Sequence, residues 1–151
     1  MHRKSAGILP FRRLTGTIEV LLVHPGGPFW QKRDDAAWSI AKGEYGDDEQ
    51  VEAAARREFK EETGWDVTHT LMPLGEVRQP SGKHVTGFAM EADFDPQSLH
   101  SNLFEIEWPP RSRTTQAFPE VDRAAWFSLG DARKKLLVGQ RPFLDRLVEL
   151  L

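Results

Sequence analysis

Apolar residues near the start of the chain fall in short runs that suit strands: Ile8-Leu9 and Phe11, then Ile18 to Val23, joined by a turn near Thr15-Gly16. His24-Pro25-Gly26-Gly27-Pro28 ends the second run with the strongest loop signal in the chain. After the polar stretch Gln31 to Asp35, Trp38-Ser39-Ile40 reads as a short strand. From about Asp48 to Thr63 the pattern lengthens to a helical period, closed by Gly64 just past the helix end. Leu71 to Gln79 and His84 to Phe94 then read as a hairpin around Pro80-Ser81-Gly82-Lys83. Asn102 to Trp108 alternates as one more strand, Pro109-Pro110 ends it, and a polar loop runs to Pro119. Ala124 to Phe127 is a last strand. Ser128 to Asp131 has capping-box spacing ahead of a stripe of Leu129, Ala132, Leu136 and Leu137. Pro142 opens a final helix with apolar positions Phe143, Leu144, Leu147, Leu150 and Leu151. Strands outnumber helices but interleave with them, which predicts an α/β chain, with a mixed sheet and helices packed on it.

The helix over residues 48–63 departs from ordinary amphipathic design. With Val51 at zero and about 100° per residue, Ala54, Ala55 and Phe59 fall at roughly 300°, 40° and 80°, one apolar face. On the same wheel Glu58 falls at roughly 340°, Glu62 at roughly 20° and Glu61 at roughly 280°. These carboxylates lie on or beside the face meant for burial, while Arg56 and Lys60 point to solvent. A solvated acidic helix with intrahelical ion pairs would place them opposite Val51. Buried carboxylates require a cation or another partner, and two of them at i, i+4 with a third alongside suit a hard divalent cation. Structural ion pairing is the alternative.

Length and charge narrow the picture further. The 151 residues suit one domain over 1–151, without repeat or linker. A net charge of −3 gives no global reason to expect nucleic-acid wrapping or an anionic membrane surface. The absence of cysteine removes disulfide scaffolds, thiolate metal sites and cysteine nucleophiles. The basic segment Met1 to Ser5 is followed by too short an apolar run for a secretion signal, and no later run reaches membrane-spanning length, so a cytoplasmic location is expected.

From Gly43 the chain runs five residues to Glu49, seven more, then Arg57-Glu58-Phe59-Lys60-Glu61-Glu62-Thr63-Gly64-Trp65. This resembles the Nudix box, the loop–helix–loop signature of the Nudix hydrolase family, with every fixed glycine, glutamate and arginine at its spacing across residues 43–65. Four positions depart from the family's habit: Trp65 where an aliphatic residue is usual, Asp47-Asp48 where many relatives have Pro-Gly, and Ala41 where proline often precedes Lys-Gly. They bear on loop geometry and remove no ligand.

The resemblance implies the Nudix fold, a mixed β-sheet sandwiched between helices, and Mg²⁺-dependent hydrolysis of a diphosphate bond, with Mn²⁺ as a substitute. It implies Glu58 and Glu62 as principal metal ligands, Glu61 as a further one, the Gly43 carbonyl as another, and Arg57 orienting the glutamates by pairing with Glu49. The general base varies in the family; a box glutamate (Glu61 or Glu58) and Glu120 are candidates, with Glu105 and Glu107 as alternatives. Lys42, Lys32, Arg33 and Arg78 are candidate phosphate contacts, joined by Lys83, and Trp30 or Trp38 could stack a base. The histidines show no metal-ligand spacing. The expected substrate is a small nucleotide, either a nucleoside triphosphate or a dinucleoside polyphosphate. A nucleotide sugar, an inositol pyrophosphate and a sensing module without catalysis remain open, as does a homodimer.

Overall fold

The computed structural model describes residues 3–151; Met1 and His2, which open the basic N-terminal segment, lie outside the described residues. The described elements run β1 (Lys4–Leu14), β2 (Thr17–Pro25), β3 (Ala41–Glu44), α1 (Val51–Thr63), β4 (Met72–Arg78), β5 (His84–Glu91), β6 (Leu103–Glu107), β7 (Thr115–Pro119), β8 (Val121–Ser128), α2 (Leu129–Lys135) and α3 (Pro142–Leu150). The main sheet has the order β4-β5-β1-β2-β8, with β3 also on β1. It is mixed, because β1 lies parallel to β5 and antiparallel to β2 and β3. Along its second edge β1 pairs first with β3, over Ser5 to Ile8, and then with β2, over Phe11 to Leu14.

Alternation along these strands builds two cores. Ala6 and Ile8 of β1 and Phe88 and Met90 of β5 meet Ala54, Ala55 and Phe59 of α1. Leu9, Phe11, Val85 and Ala89 face the other way, onto Ala132 of α2 and Phe143, Leu144 and Leu147 of α3. Helices therefore cover both faces of the sheet. Phe143 reaches so far in that a Cβ on Gly87 would stand 2.8 Å from its ring. Burying each such ring contributes about 1.5–3 kcal/mol. Among the described residues no helix is long and apolar enough to cross a membrane.

Local chemistry sets the helix ends. Gly64 takes φ 81° at the end of α1, and its N–H donates to the Lys60 carbonyl. The Ser128 hydroxyl accepts the Asp131 N–H at the start of α2, as the capping spacing predicts.

Four expectations need correction. Trp38 and Ser39 form only isolated bridges, to Leu136 and Val23, and the strand proper begins at Ala41. The helix begins at Val51 rather than near Asp48. Leu150 and Leu151 are exposed, since only the first two turns of α3 rest on the sheet. The predicted loop before Pro119 contains β7, which pairs with β6 from Leu103↔Pro119 to Glu107↔Thr115. Thr115 to Ala117 are exposed, so β7 has little hydrophobic signal of its own and exists through its ladder with β6. At the turn of this hairpin Arg111 and Arg113 both hold φ 61°, a left-handed conformation that costs an L-residue roughly 1 kcal/mol or more.

Candidate active site

The acidic face of α1 meets the sheet at β3. Glu58 is 8% exposed, and its carboxylate lies against the backbone of Gly43. A Cβ at position 43 would stand 1.7 Å from Glu58 Oε2, so only glycine admits this approach. One turn on, Glu62 Oε1 accepts the Lys42 N–H at 3.2 Å. Glu62 and Lys42 line a cavity of about 160 Å³ whose other walls include Ile40, Pro25, Val121 and Glu120.

Arg57 organises the rim. Its Nε and Nη2 donate to the two oxygens of Glu49 at 2.7 and 2.8 Å, a bidentate fork, and Nη1 donates to Glu58 at 2.7 Å and Glu61 at 3.2 Å. These bonds, that to Glu49 first, hold the guanidinium proton above its ordinary affinity. One arginine thereby fixes three carboxylates from the box.

Crowded, desolvated acids bind protons more tightly. Burial lifts the Glu62 carboxyl to about 8, with Lys42 opposing and the like charges of Glu120 and Glu58 assisting. Glu58 is raised by burial against the pull of Arg57. Glu120 is raised by burial and by Glu61. Lys42 is pushed down by burial and by the neighbouring Lys83. A hard cation fits this donor set, which is all oxygen, acidic and already competing for positive charge. The aim of the side chains is another matter. Among the described residues no three acidic or histidine side chains are drawn into a ready-made cage, because Glu58 and Glu61 turn to Arg57 while Glu62 turns to β3.

The remaining candidates separate by position. Glu120 faces the cavity from the junction of β7 and β8. Glu105 and Glu107 stand exposed on the β6–β7 hairpin, where Glu107 accepts the Arg111 N–H. Lys32 and Arg33 lie exposed in the loop after β2, the Arg33 guanidinium 5.4 Å from the centre of the Trp30 ring. Arg78 is on β4, the far edge strand, and does not line the cavity. Trp38 is buried in the core and donates to Asp34, so its ring is closed to a base. His24 is fully buried between Asp122 and the Arg33 carbonyl, at 2.8 and 2.7 Å. It ties the loop after β2 to β8, and no local pattern marks a partnership across 98 residues.

A family model described as NUDIX domain matches residues 1–147. The chain belongs to the Nudix family. No curated protein matches it in sequence. Among solved structures, this Nudix chain is similar to the Ap4A hydrolase of C. elegans in a binary complex, at 22% identity over 98% of this chain and 96% of that one, with a TM-score of 0.65. It is also similar to the NUDIX domain of Shewanella oneidensis NrtR complexed with ADP ribose, at 16% identity, 99% and 88% coverage and a TM-score of 0.68. The MutT protein from Methanosarcina mazei Go1 gives 19% identity, 99% and 94% coverage and a TM-score of 0.59. Likeness at these identities shows a shared fold, a mixed sheet with helices on both faces.

Proposed function

We propose that this Nudix chain is a pyrophosphohydrolase that uses Mg²⁺, or Mn²⁺ in its place, to cleave the diphosphate bond of a nucleoside triphosphate or dinucleoside polyphosphate. The observation that carries this is the cavity itself, where Glu62, Glu120 and Lys42 meet beside a buried Glu58 in a chain that retains every box acid. A module that only senses nucleotides has no need to maintain buried, proton-hungry carboxylates around a space of this size. Two of the solved structures of similar fold are of an Ap4A hydrolase and of a domain complexed with ADP ribose, both consistent with a nucleotide containing a diphosphate.

Glu58, Glu62, Glu61 and the Gly43 carbonyl would hold the divalent ion. When bound, the ion neutralises the diphosphate oxygens and stabilises charge on the departing phosphate. Arg57 keeps Glu58 and Glu61 in place beside the site that would hold the ion. Glu120, opposite Glu62, accepts a proton from the attacking water; Glu61 and Glu58 are the box alternatives for that role. The water oxygen bonds to phosphorus, the bridging P–O bond breaks, and the bridging oxygen leaves on the departing phosphate. Lys42 supplies positive charge to the phosphates, and Ile40, Pro25 and Val121 keep bulk water out.

The test is incubation with Mg²⁺ or Mn²⁺ and a panel of nucleoside triphosphates, dinucleoside polyphosphates and nucleotide sugars, beside Glu62→Gln. Metal-dependent cleavage that the variant loses supports the proposal. Nucleotide binding without turnover of any compound overturns it in favour of a sensor.

A further inference from the structure

The loop after β2 and the β6–β7 hairpin pack into one arm beside the cavity. Gly26 donates to the Glu120 carbonyl at 2.9 Å, and a Cβ at Gly26 would stand 1.9 Å from the Pro119 carbonyl oxygen. At Gly27 a Cβ would meet the Phe104 ring at 2.8 Å. The two glycines let the loop lie flat along the aromatic face of the hairpin, as far as Phe29 and Trp108, whose ring centres are 5.5 Å apart and edge-on. A second cavity of about 220 Å³, between Pro28 and Phe118, borders the same two chain segments as the catalytic one.

The far end of this arm is built unlike an ordinary loop tip. Phe29 is 61% exposed, supported at its edge by Trp108. Arg111 and Arg113 are exposed at the hairpin turn, and Lys32 is exposed on the loop. Among the described residues none of these three cations has a carboxylate within ion-pair distance, a state shared by the exposed Arg3, Arg78 and Lys134, but only here do such cations flank an exposed aromatic ring beside the cavity. An aromatic edge in water with unpaired cations around it is complementary to a nucleobase attached to phosphate.

We propose that this arm holds the second nucleoside of a dinucleoside polyphosphate, the one on the far side of the bond being cleaved. Phe29, with Trp108 behind it, stacks that base, and Lys32 on the loop and Arg111 and Arg113 at the hairpin turn supply positive charge around it. From Pro119, beside Glu120, to Thr115 the hairpin spans about 13 Å, so the arm begins at the catalytic cavity and extends well beyond the room that a triphosphate occupies. The inference rests on the hydrolase proposal for its location and deepens it by choosing between the two substrate classes.

Binding of uncleavable ligands separates the two proposals. A methylene-bridged dinucleoside tetraphosphate and a methylene-bridged nucleoside triphosphate are titrated calorimetrically with Mg²⁺ into the wild-type protein, Phe29→Ala and Arg111→Gly/Arg113→Gly. Both changes are at exposed positions, and glycine suits the left-handed turn, so thermal melts should match wild type. The expected result is tighter wild-type binding of the dinucleoside compound, weakened about fivefold or more in each variant, with triphosphate binding unchanged. Equal loss for both ligands, or no loss for either, overturns the arm. Equal wild-type affinity for the two ligands overturns it as well, while cleavage of ordinary triphosphate would leave the hydrolase proposal standing. A 5′-triphosphorylated oligonucleotide that alone depends on Phe29 would assign the arm to a polynucleotide and overturn the dinucleoside occupant.

Discussion

Helices α1 and α3 sit on opposite faces of one sheet, and each inserts a fully buried phenylalanine, Phe59 and Phe143. Their inner faces are otherwise unlike. α3 follows its ring with Leu144 and Leu147, an ordinary apolar stripe. α1 follows its alanines with Glu58 and leaves Glu62 against β3. Both faces are held by the exclusion of water, but the second also takes in a carboxylate that a glycine makes room for, with an arginine fork at its rim. A face that gives up hydrophobic burial for desolvated acids is one shaped by chemistry performed there.

That contrast breaks if variants on the two faces behave alike. The largest effect is expected from Phe143→Ala, which should lower stability by about 3–5 kcal/mol in denaturant melts while leaving kcat near wild type, because the ring touches only the core of the far face. Glu62→Gln should do the reverse, reducing kcat about 10²- to 10³-fold with little loss of stability. Arg57→Lys cannot reproduce the fork to Glu49 and should reduce kcat/KM about 10- to 100-fold, with a weaker response to added Mg²⁺. Smallest is Ser128→Ala, which removes the cap of α2 and should cost about 1 kcal/mol without altering activity.

The pH dependence of the ion-free protein sharpens the same contrast. A carboxyl raised from 4.5 to about 8 holds a proton in the folded state that the unfolded chain has already released, so folding is favoured at low pH and loses that contribution as pH rises through about 8. Lys42, lowered by burial, acts in the opposite sense toward alkaline pH. Melting temperature in the absence of divalent ions should therefore fall between about pH 5 and pH 8, and Glu62→Gln should flatten that slope. A slope unchanged in the variant would remove Glu62 as its source.

The same contrast explains how far the sequence could be read. The wheel that set Glu58 and Glu62 beside Val51 needs only the helical period, and the structure buries Glu58 there. Paired strands with apolar alternation, such as β1 with β2 and β4 with β5, were legible for the same local reason. β7 was not, since exposed Thr115 to Ala117 carry no alternation and the strand depends on its partner. Nor could spacing place Arg78 on the far edge strand, bury Trp38, or join His24 to Asp122. These depend on which distant strands meet, and local periodicity does not encode that.

The division of β1 between two partners has a consequence for the order of assembly. Its first half takes β3 and its second half takes β2, while Lys4 to Phe11 wait for β5 on the other edge, with Lys4 opposite His84 and Phe11 opposite Glu91. Gly43 and Glu62 can meet once β3 and α1 form, but Glu120 arrives only when β8 closes on β2. During synthesis the acidic face of α1 is therefore made long before its opposite wall, and a chain stopped short of β8 would carry the box intact without an enclosed cavity.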